Sequence, residues 1–473
     1  MSGASVGLVG IGLETYWAQF EGLEQRLRGY VEQVAAIIAD TGVKVVNLGL
    51  VDTVDKAFNA SARFRQADVE VIFLYAATYA LSSTVLPLVR RAGVPIVLLN
   101  LQPAAAIDYA ALNRLADRTA MTGEWLAWCG ACAVPEIANV LRRAGIEYHQ
   151  VTGMLQGDEH VPKEIAGWAD AARAAHVLRY NRMGLLGHYY NGMLDIYTDQ
   201  TLQLATFGGH MQVLEMDELA ACRHEVTEAQ AEERVALFHA EFAIQPDCPP
   251  AELTRAARTS LALDALVDRY RLGSIAYYYE SVPGHEHEDL ISSIILGSSL
   301  LTARGVPVAG EYEIKNAQAM KILDAVGAGG SFSEFYAVDF TDNVVLFGHD
   351  GPGHIAICEG RTKVKPLSVY HGKPGRGLSV EMSVRHGPVT LLSVMEREGR
   401  LALLCAEAEC VPGPILEIGN TNSRYRFSID ARHFIEAWNR EGPAHHCAIG
   451  VSHCAGTLHK LGRLLGIDVI QVC

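Results

Sequence analysis

At 473 residues the chain exceeds what one hydrophobic core serves, and about 150 residues per domain implies roughly three domains. A composition that is 49% hydrophobic and 20% charged is that of a folded globular protein and excludes a disordered one. The formal net charge of −15 argues against nucleic acid or an anionic membrane surface as partner, because neutralising phosphates requires clustered Lys and Arg.

The opening stretch MSGASVGLVGIGLETYW has neither the basic start nor the long apolar segment of a secretion signal. No run approaches the ~18 apolar residues of a membrane span. The expectation is a cytoplasmic protein without membrane association. Ten unpatterned cysteines read as reduced thiols in apolar positions. Cys129 and Cys132 form a C-x-x-C; without a second pair at zinc-binding spacing, it reads as coincidental rather than as a redox or metal motif.

In chain order, apolar runs at 5–12, 43–51, 69–77 and 94–102 alternate with helical patterns at 22–40, around 55–65 and through Arg91. Continuous Val/Ile/Leu runs between amphipathic helices indicate a parallel sheet covered on both faces, hence a doubly wound α/β domain. Ligands of such sheets sit beyond the carboxyl ends of the strands, here near Gly10 to Tyr16, Ala76 to Tyr79 and Asn100 to Pro103. Gly10 and Gly12 do not extend to a G-x-G-x-x-G, since Thr15 occupies the third glycine's place; they serve a tight turn rather than a nucleotide.

A helical stretch runs from Ile107 to Gly145, and a second α/β rhythm begins near Tyr180. Strands are predicted over 176–188, 210–216 and 274–280, with a helix from Thr227 to Ile244. From about Phe335, strand-like runs arrive at intervals of roughly eight to fifteen residues, which suggests an antiparallel barrel or sandwich. They include NVVLFGHD, HIAICE, VKPLSVYH, GLSVEMSVR, PVTLLSVME, RLALLCAEAE and YRFSID, with a helix AGTLHKLGRLLG and a strand IDVIQV at the end. The expected plan is two doubly wound α/β domains, 1–180 and 181–325, followed by a C-terminal antiparallel β-barrel domain, 326–473.

The chemistry concentrates between Val306 and His354. Glu311 follows an apolar run and is predicted to open the helix EIKNAQAMKILDAV, Glu334 lies in GAGGSFSEFY, and His349 closes VVLFGH. Each alone has an ordinary explanation: a helix-start acid favoured by the helix dipole, a solvated strand-end carboxylate, a turn histidine. Together they are the material of a divalent metal site with acid/base capacity. Further on, GPAHHCAIGVSH offers His445, His446 and His453 in an apolar setting where unpaired imidazoles are costly to bury. One of them completes a Glu/Glu/His/His set suited to Mn²⁺, Mg²⁺, Co²⁺ or Fe²⁺ with positions open to two substrate oxygens.

The blocks AGEYEIKNA, GGSFSEFY, VLFGHD and AHHCAIGVSH, with TAMTGEWLA and NGMLDIYTD earlier, resemble those of the L-arabinose isomerase family within the L-arabinose/L-fucose isomerase superfamily, in the same order. The resemblance implies Glu311, Glu334, His349 and His446 as ligands of Mn²⁺ or another divalent metal such as Co²⁺ or Mg²⁺, with both glutamates as the acid/base pair. It also implies aldose-ketose isomerisation through a cis-enediol and assembly as a homo-oligomer, trimer or hexamer; the sequence leaves a metal-assisted hydride shift open as a second route. The implied sugar-facing positions are Glu14, Met121, Met193 and His354. Several depart from the family pattern: Met121 stands where a substrate-contacting His is usual, the first loop reads GLETYW, and His354 adds a histidine after the third ligand block. The expectation is an isomerase whose sugar need not be L-arabinose. The competing readings are a sugar-binding or sensing protein without turnover and a metal-dependent hydrolase or lyase acting on a carbohydrate. VPGHEHEDL, with His285 to Glu288, reads as a solvated helix start.

Overall fold

The computed structural model describes residues 3–115, 117–370 and 373–473. The chain divides into two compact units, Met1–His176 and Val177–Cys473.

The first unit holds a five-stranded, all-parallel sheet in the order Lys44–Val51, Ser5–Ile11, Ile72–Ala76, Ile96–Gln102, Tyr148–Met154. Every residue of Ser5–Ile11 and Ile72–Ala76 is buried, as their uninterrupted apolar runs require of central strands. The order reverses beside Ser5–Ile11, which places the topological switch point between the ends of these two strands. Tyr148–Met154 is a strand that the apolar pattern does not announce. It lies at the edge with polar residues exposed along it, so it lacks the continuous signal of its neighbours. The segment HVLRY, predicted to begin a strand, is instead the end of the helix His160–Arg179, and the strand is confined to Arg182–Gly187.

The second unit contains a four-stranded parallel sheet, ordered Val308–Ala309, Ser274–Tyr278, Arg182–Gly187, His210–Leu214. The 21-residue helix Pro250–Tyr270 shares a hydrophobic cluster with it, Leu263 and Leu266 lying with Leu186 and Ile275. The same unit carries a seven-stranded sheet in the order Gly387–Arg397, His446–Val451, Ser331–Asp339, Val344–His349, Thr421–Phe427, Arg400–Cys410, Asp468–Gln471. Its pairings are antiparallel except for the last strand, which lies parallel to Arg400–Cys410. Separate hydrophobic clusters underlie the two sheets: Leu263, Leu266, Phe238 and Ile275 belong to one, and Phe347, Tyr425, Phe434 and Trp438 to the other.

Several predicted C-terminal strands have other fates. Within HIAICE, Ile355–Ile357 forms a 3-10 turn. Lys363–Pro366 and Leu378–Glu381 leave the large sheet for a small three-stranded one with Ala243–Ile244. The run VKPLSVYH ends at His371, outside the described residues. The helix Ala431–Glu441 falls where no helix is predicted; Asp430 caps it by accepting from the His433 backbone N–H, a helix-start signal present in the sequence. The residues His285 to Glu288 do open a helix, Glu286–Ile291, with His285 as its cap. No helix among the described residues is long and apolar enough to cross a membrane.

Candidate metal centre

Strand register assembles most of the cluster. In the large sheet Glu334 stands between two neighbours, paired with His446 on one side and Gly348 on the other. His349 ends the Gly348 strand. Gly348 is required there by close approach: a Cβ would lie 1.8 Å from the Thr421 carbonyl oxygen. Phe332, two residues before Glu334, brings its ring to 4.5 Å from each of the His349 and His446 rings and separates the imidazoles from the core below.

Glu311 arrives from the parallel sheet. It does not open the helix, which spans Ile314–Ala325. Glu311 and Tyr312 instead form a left-handed turn with φ of 56° and 61°, a conformation that side-chain-bearing residues adopt rarely and at a cost of about 1–3 kcal/mol each. The turn is held by the Tyr312 N–H donating to Tyr277 O at 2.9 Å and the Glu313 N–H to Gly310 O at 3.0 Å. It projects the Glu311 carboxylate toward the histidines: Oε1 is 3.7 Å from His349 Nε2, and Oε2 is 3.3 Å from His446 Nε2 and 3.8 Å from His445 Nε2.

Two overlapping groups have donor atoms within 4.8 Å of one another: Glu311, His349 and His446, and Glu334, His445 and His446. Glu311, His349 and His446 are buried, while Glu334 and His445 are half-buried. The cluster faces a pocket of about 240 Å³ that Glu334, Phe335, Asp195, Trp438 and His445 help to line.

The other ring nitrogens are occupied. His349 Nδ1 lies 2.8 Å from Asp350 O, and His446 Nδ1 hydrogen-bonds the carboxylate of Glu313, which is 1% exposed. Fixing Nδ1 as the protonated nitrogen turns each Nε2 lone pair into the cluster. His446 Nε2 and Glu311 Oε2 are then buried atoms without a hydrogen-bond partner. Burial pulls His446 well below the usual imidazole range, reinforced by His349, so its Nε2 presents a lone pair to a carboxylate oxygen. Two buried acceptors facing each other call for a cation. The donor set, carboxylate and imidazole, suits a divalent cation.

The remaining groups divide by environment. Burial would raise Glu311, but His349, His446 and His445 outweigh it and hold its carboxyl below the ordinary value. Burial raises Glu334. Burial lowers His349, yet hydrogen bonding to Glu311 and the charges of Asp350 and Glu334 bring it above the ordinary value. Burial raises Glu313.

Of the other positions singled out in the sequence, Met193 precedes the 3-10 turn Leu194–Ile196. The Asp195 carboxylate in that turn accepts from His445 through Nδ1 at 2.6 Å and the backbone N–H at 2.9 Å. His354 is 4% exposed, and its Nε2 faces Gly329 rather than the cluster. His453 lies apart, with Nε2 at 3.1 Å from Ala408 O. Glu14, exposed on the 3-10 turn Glu14–Tyr16, and Met121, on the helix Arg118–Leu126, belong to the first unit. Glu313 and Asp195 are functional candidates that sequence reasoning passes over. Glu313 sits two residues from Glu311 within EYE, a spacing that offers a signal: a second acid at a turn that carries a candidate ligand.

Residues 329–468 match the family described as the L-arabinose isomerase C-terminal domain, a range that includes Glu334, His349 and His446. The L-arabinose isomerase of Shewanella sp. (strain ANA-3) is 21% identical over 339 residues, covering 68% of this chain and 66% of that protein, just under two thirds of the relative's length. Two solved structures, a response regulator/GGDEF domain protein (11% identity, 68% of this chain, 99% of that one, TM-score 0.19) and the D-lactate dehydrogenase of Salmonella (10%, 68%, 95%, 0.14), carry no argument about the fold. The C-terminal region is thus of the L-arabinose isomerase type. Outside that region the likeness to L-arabinose isomerases rests on the 21% identity alone.

Proposed function

We propose that this protein is a divalent-metal-dependent aldose-ketose isomerase acting through a cis-enediol on a sugar that need not be L-arabinose. The observation that carries the reading is the pair of buried, partnerless acceptors, Glu311 Oε2 and His446 Nε2, in a cluster of two carboxylates and three imidazoles beside a small pocket. Glu311, Glu334, His349 and His446 are the proposed ligands of Mn²⁺ or a similar ion, which when bound supplies Lewis-acid polarisation of adjacent sugar oxygens. Glu334, raised and facing the pocket, carries the proton between the two carbons, while Glu311, held ionised, serves the oxygens. Phe332 and the surrounding strands keep water from the buried side of the cluster. Glu14, Met121, Met193 and His354 are proposed sugar-specificity positions.

The domain divisions at 180 and 325, a trimeric or hexameric assembly and a cytoplasmic location belong to the same reading. So does the C-terminal sheet as a barrel, supported by Gly387–Arg397 pairing with both His446–Val451 and Arg400–Cys410.

Protons compete with metal for these ligands. The imidazole that titrates is His349, whose raised pKa keeps it protonated above the ordinary 6.5. Divalent affinity is therefore expected to rise with pH through and somewhat beyond 6.5, then level off once His349 is neutral. In the metal-free protein the same shift has the opposite sense: the stability His349 contributes is fully present below its unfolded pKa and is lost as pH rises through the folded one. Competition of Mn²⁺ against a fluorescent chelator across this range checks the slope; a flat profile would remove His349 from the ligand set.

The deciding experiment measures bound metal by elemental analysis and then screens pentoses, 6-deoxyhexoses and hexoses for ketose formation with Mn²⁺. Ketose formation that chelator abolishes and Mn²⁺ restores is the expected result. Saturable sugar binding without turnover would replace the isomerase with a binding protein, and cleavage products would replace it with a hydrolase or lyase.

A further inference from the structure

The C-x-x-C of the first unit is not a coincidence of composition: Cys129 and Cys132 are joined as a disulfide. The expectation of reduced thiols fails for this pair, while Cys222, Cys248, Cys405, Cys410, Cys447 and Cys454 are free and buried, as expected. Its place in the fold is specific. Cys129 is the cap of the 14-residue helix Gly130–Arg143, and its own side chain makes no capping hydrogen bond. Gly130 is wedged against the end of the strand Ile72–Ala76, where a Cβ would stand 2.3 Å from the Ala76 carbonyl oxygen. The pair therefore lies at the carboxyl edge of a central strand, beside the topological switch point of the sheet.

The two sulfurs are unequal. Cys129 is 2% exposed, whereas Cys132, one turn into the helix, is exposed. A three-residue separation closes one of the smallest loops a disulfide can, so cross-linking constrains the unfolded chain little. A bond that adds little stability, offers one sulfur to solvent and holds the other at a helix N-terminus, where a thiolate is favoured, has the arrangement of an exchange site.

We propose that Cys129–Cys132 is a redox-exchange site that accepts two electrons from a dithiol reductant. An external thiolate attacks Cys132 Sγ; its sulfur bonds to Cys132 as the Cys132–Cys129 bond breaks, and the electron pair leaves on Cys129 as a thiolate at the head of the helix. The reductant's second thiolate then attacks its own sulfur in the mixed disulfide, closing the reductant's disulfide and releasing Cys132 as a thiolate. The protein disulfide is reduced and the dithiol oxidised, and both cysteines take up protons according to pH. The lower the leaving thiol's pKa, the faster the first step, so the helix N-terminus sets the direction of attack.

The test uses the full chain under native conditions, with dithiothreitol as the dithiol and maleimide alkylation mapped by peptide mass. The peptide holding both cysteines is expected to carry no label before reduction and one, at Cys132, after it, with Cys129 and the other buried cysteines unlabelled while the chain stays folded. In glutathione disulfide, Cys129→Ser, which leaves the exposed sulfur, is expected to capture one glutathione at least about tenfold faster than Cys132→Ser, with circular dichroism confirming that both variants fold. Labelling before reduction, resistance of the bond to dithiothreitol until the protein is unfolded, or equal capture by the two variants would overturn the proposal.

Discussion

Glu334→Gln is expected to lower the rate of sugar interconversion by about 10²–10⁴-fold, the range carried by a positioned general acid or base. The amide keeps the shape and one oxygen acceptor of the side chain but cannot move a proton. Glu334 is the natural candidate because the two carboxylates of the cluster are pushed in opposite directions, Glu334 up by burial and Glu311 down by its histidines. Such divergence lets like groups take different roles at one pH. Turnover should be measured at matched metal occupancy, since Glu334 also belongs to a group of potential ligands with His445 and His446. Full turnover in the variant would exclude Glu334 as the proton carrier.

The second large effect comes from a residue outside the proposed ligand set. Glu313→Ala is expected to weaken divalent-metal affinity by roughly 10–100-fold, the usual consequence of removing the group that orients a histidine ligand. Glu313 holds His446 Nδ1, and both residues are 1% exposed. Without the carboxylate, Nδ1 is an orphaned buried donor and the ring loses its fixed tautomer. Glu313→Gln, which retains an acceptor for Nδ1–H, should fall between wild type and the alanine variant. Calorimetric titration with Mn²⁺ gives the ranking, and an unchanged affinity in the alanine variant would show that packing alone orients His446.

The parts of the fold legible in the sequence are those where one physical signal dominates. Ser5–Ile11 and Ile72–Ala76 are buried throughout and read as central strands. Tyr148–Met154 lies at the sheet edge and reads as nothing in particular, because its residues are mostly in partial or full contact with solvent. Lys363–Pro366 and Leu378–Glu381 have the right local pattern for strands, but partner choice is set by tertiary contacts, and they pair with Ala243–Ile244 outside the large sheet. At the cluster, Glu311, Glu334 and His349 are singled out by residue type and context, while His446 is singled out from His445 and His453 only by the family resemblance. The turn at Glu311 and Tyr312 is hidden, since neither residue announces a positive φ. Glu313 is hidden because its partner is 133 positions away. The disulfide is invisible to spacing alone, which carries no information on exposure or helix position.

The remote origin of Glu311 has a consequence for folding order. The range shared with the L-arabinose isomerase C-terminal domain begins at residue 329, after Glu311 and Glu313, and His446 meets both only when the left-handed turn and the antiparallel sheet are in place. Contacts of such sequence separation form after local ones, because loop closure must precede them. An ion held by Glu311, His349 and His446 therefore adds its full free energy only to the finished second unit, whereas Glu334, His445 and His446, all at the antiparallel sheet, offer it a partial foothold before Glu311 arrives.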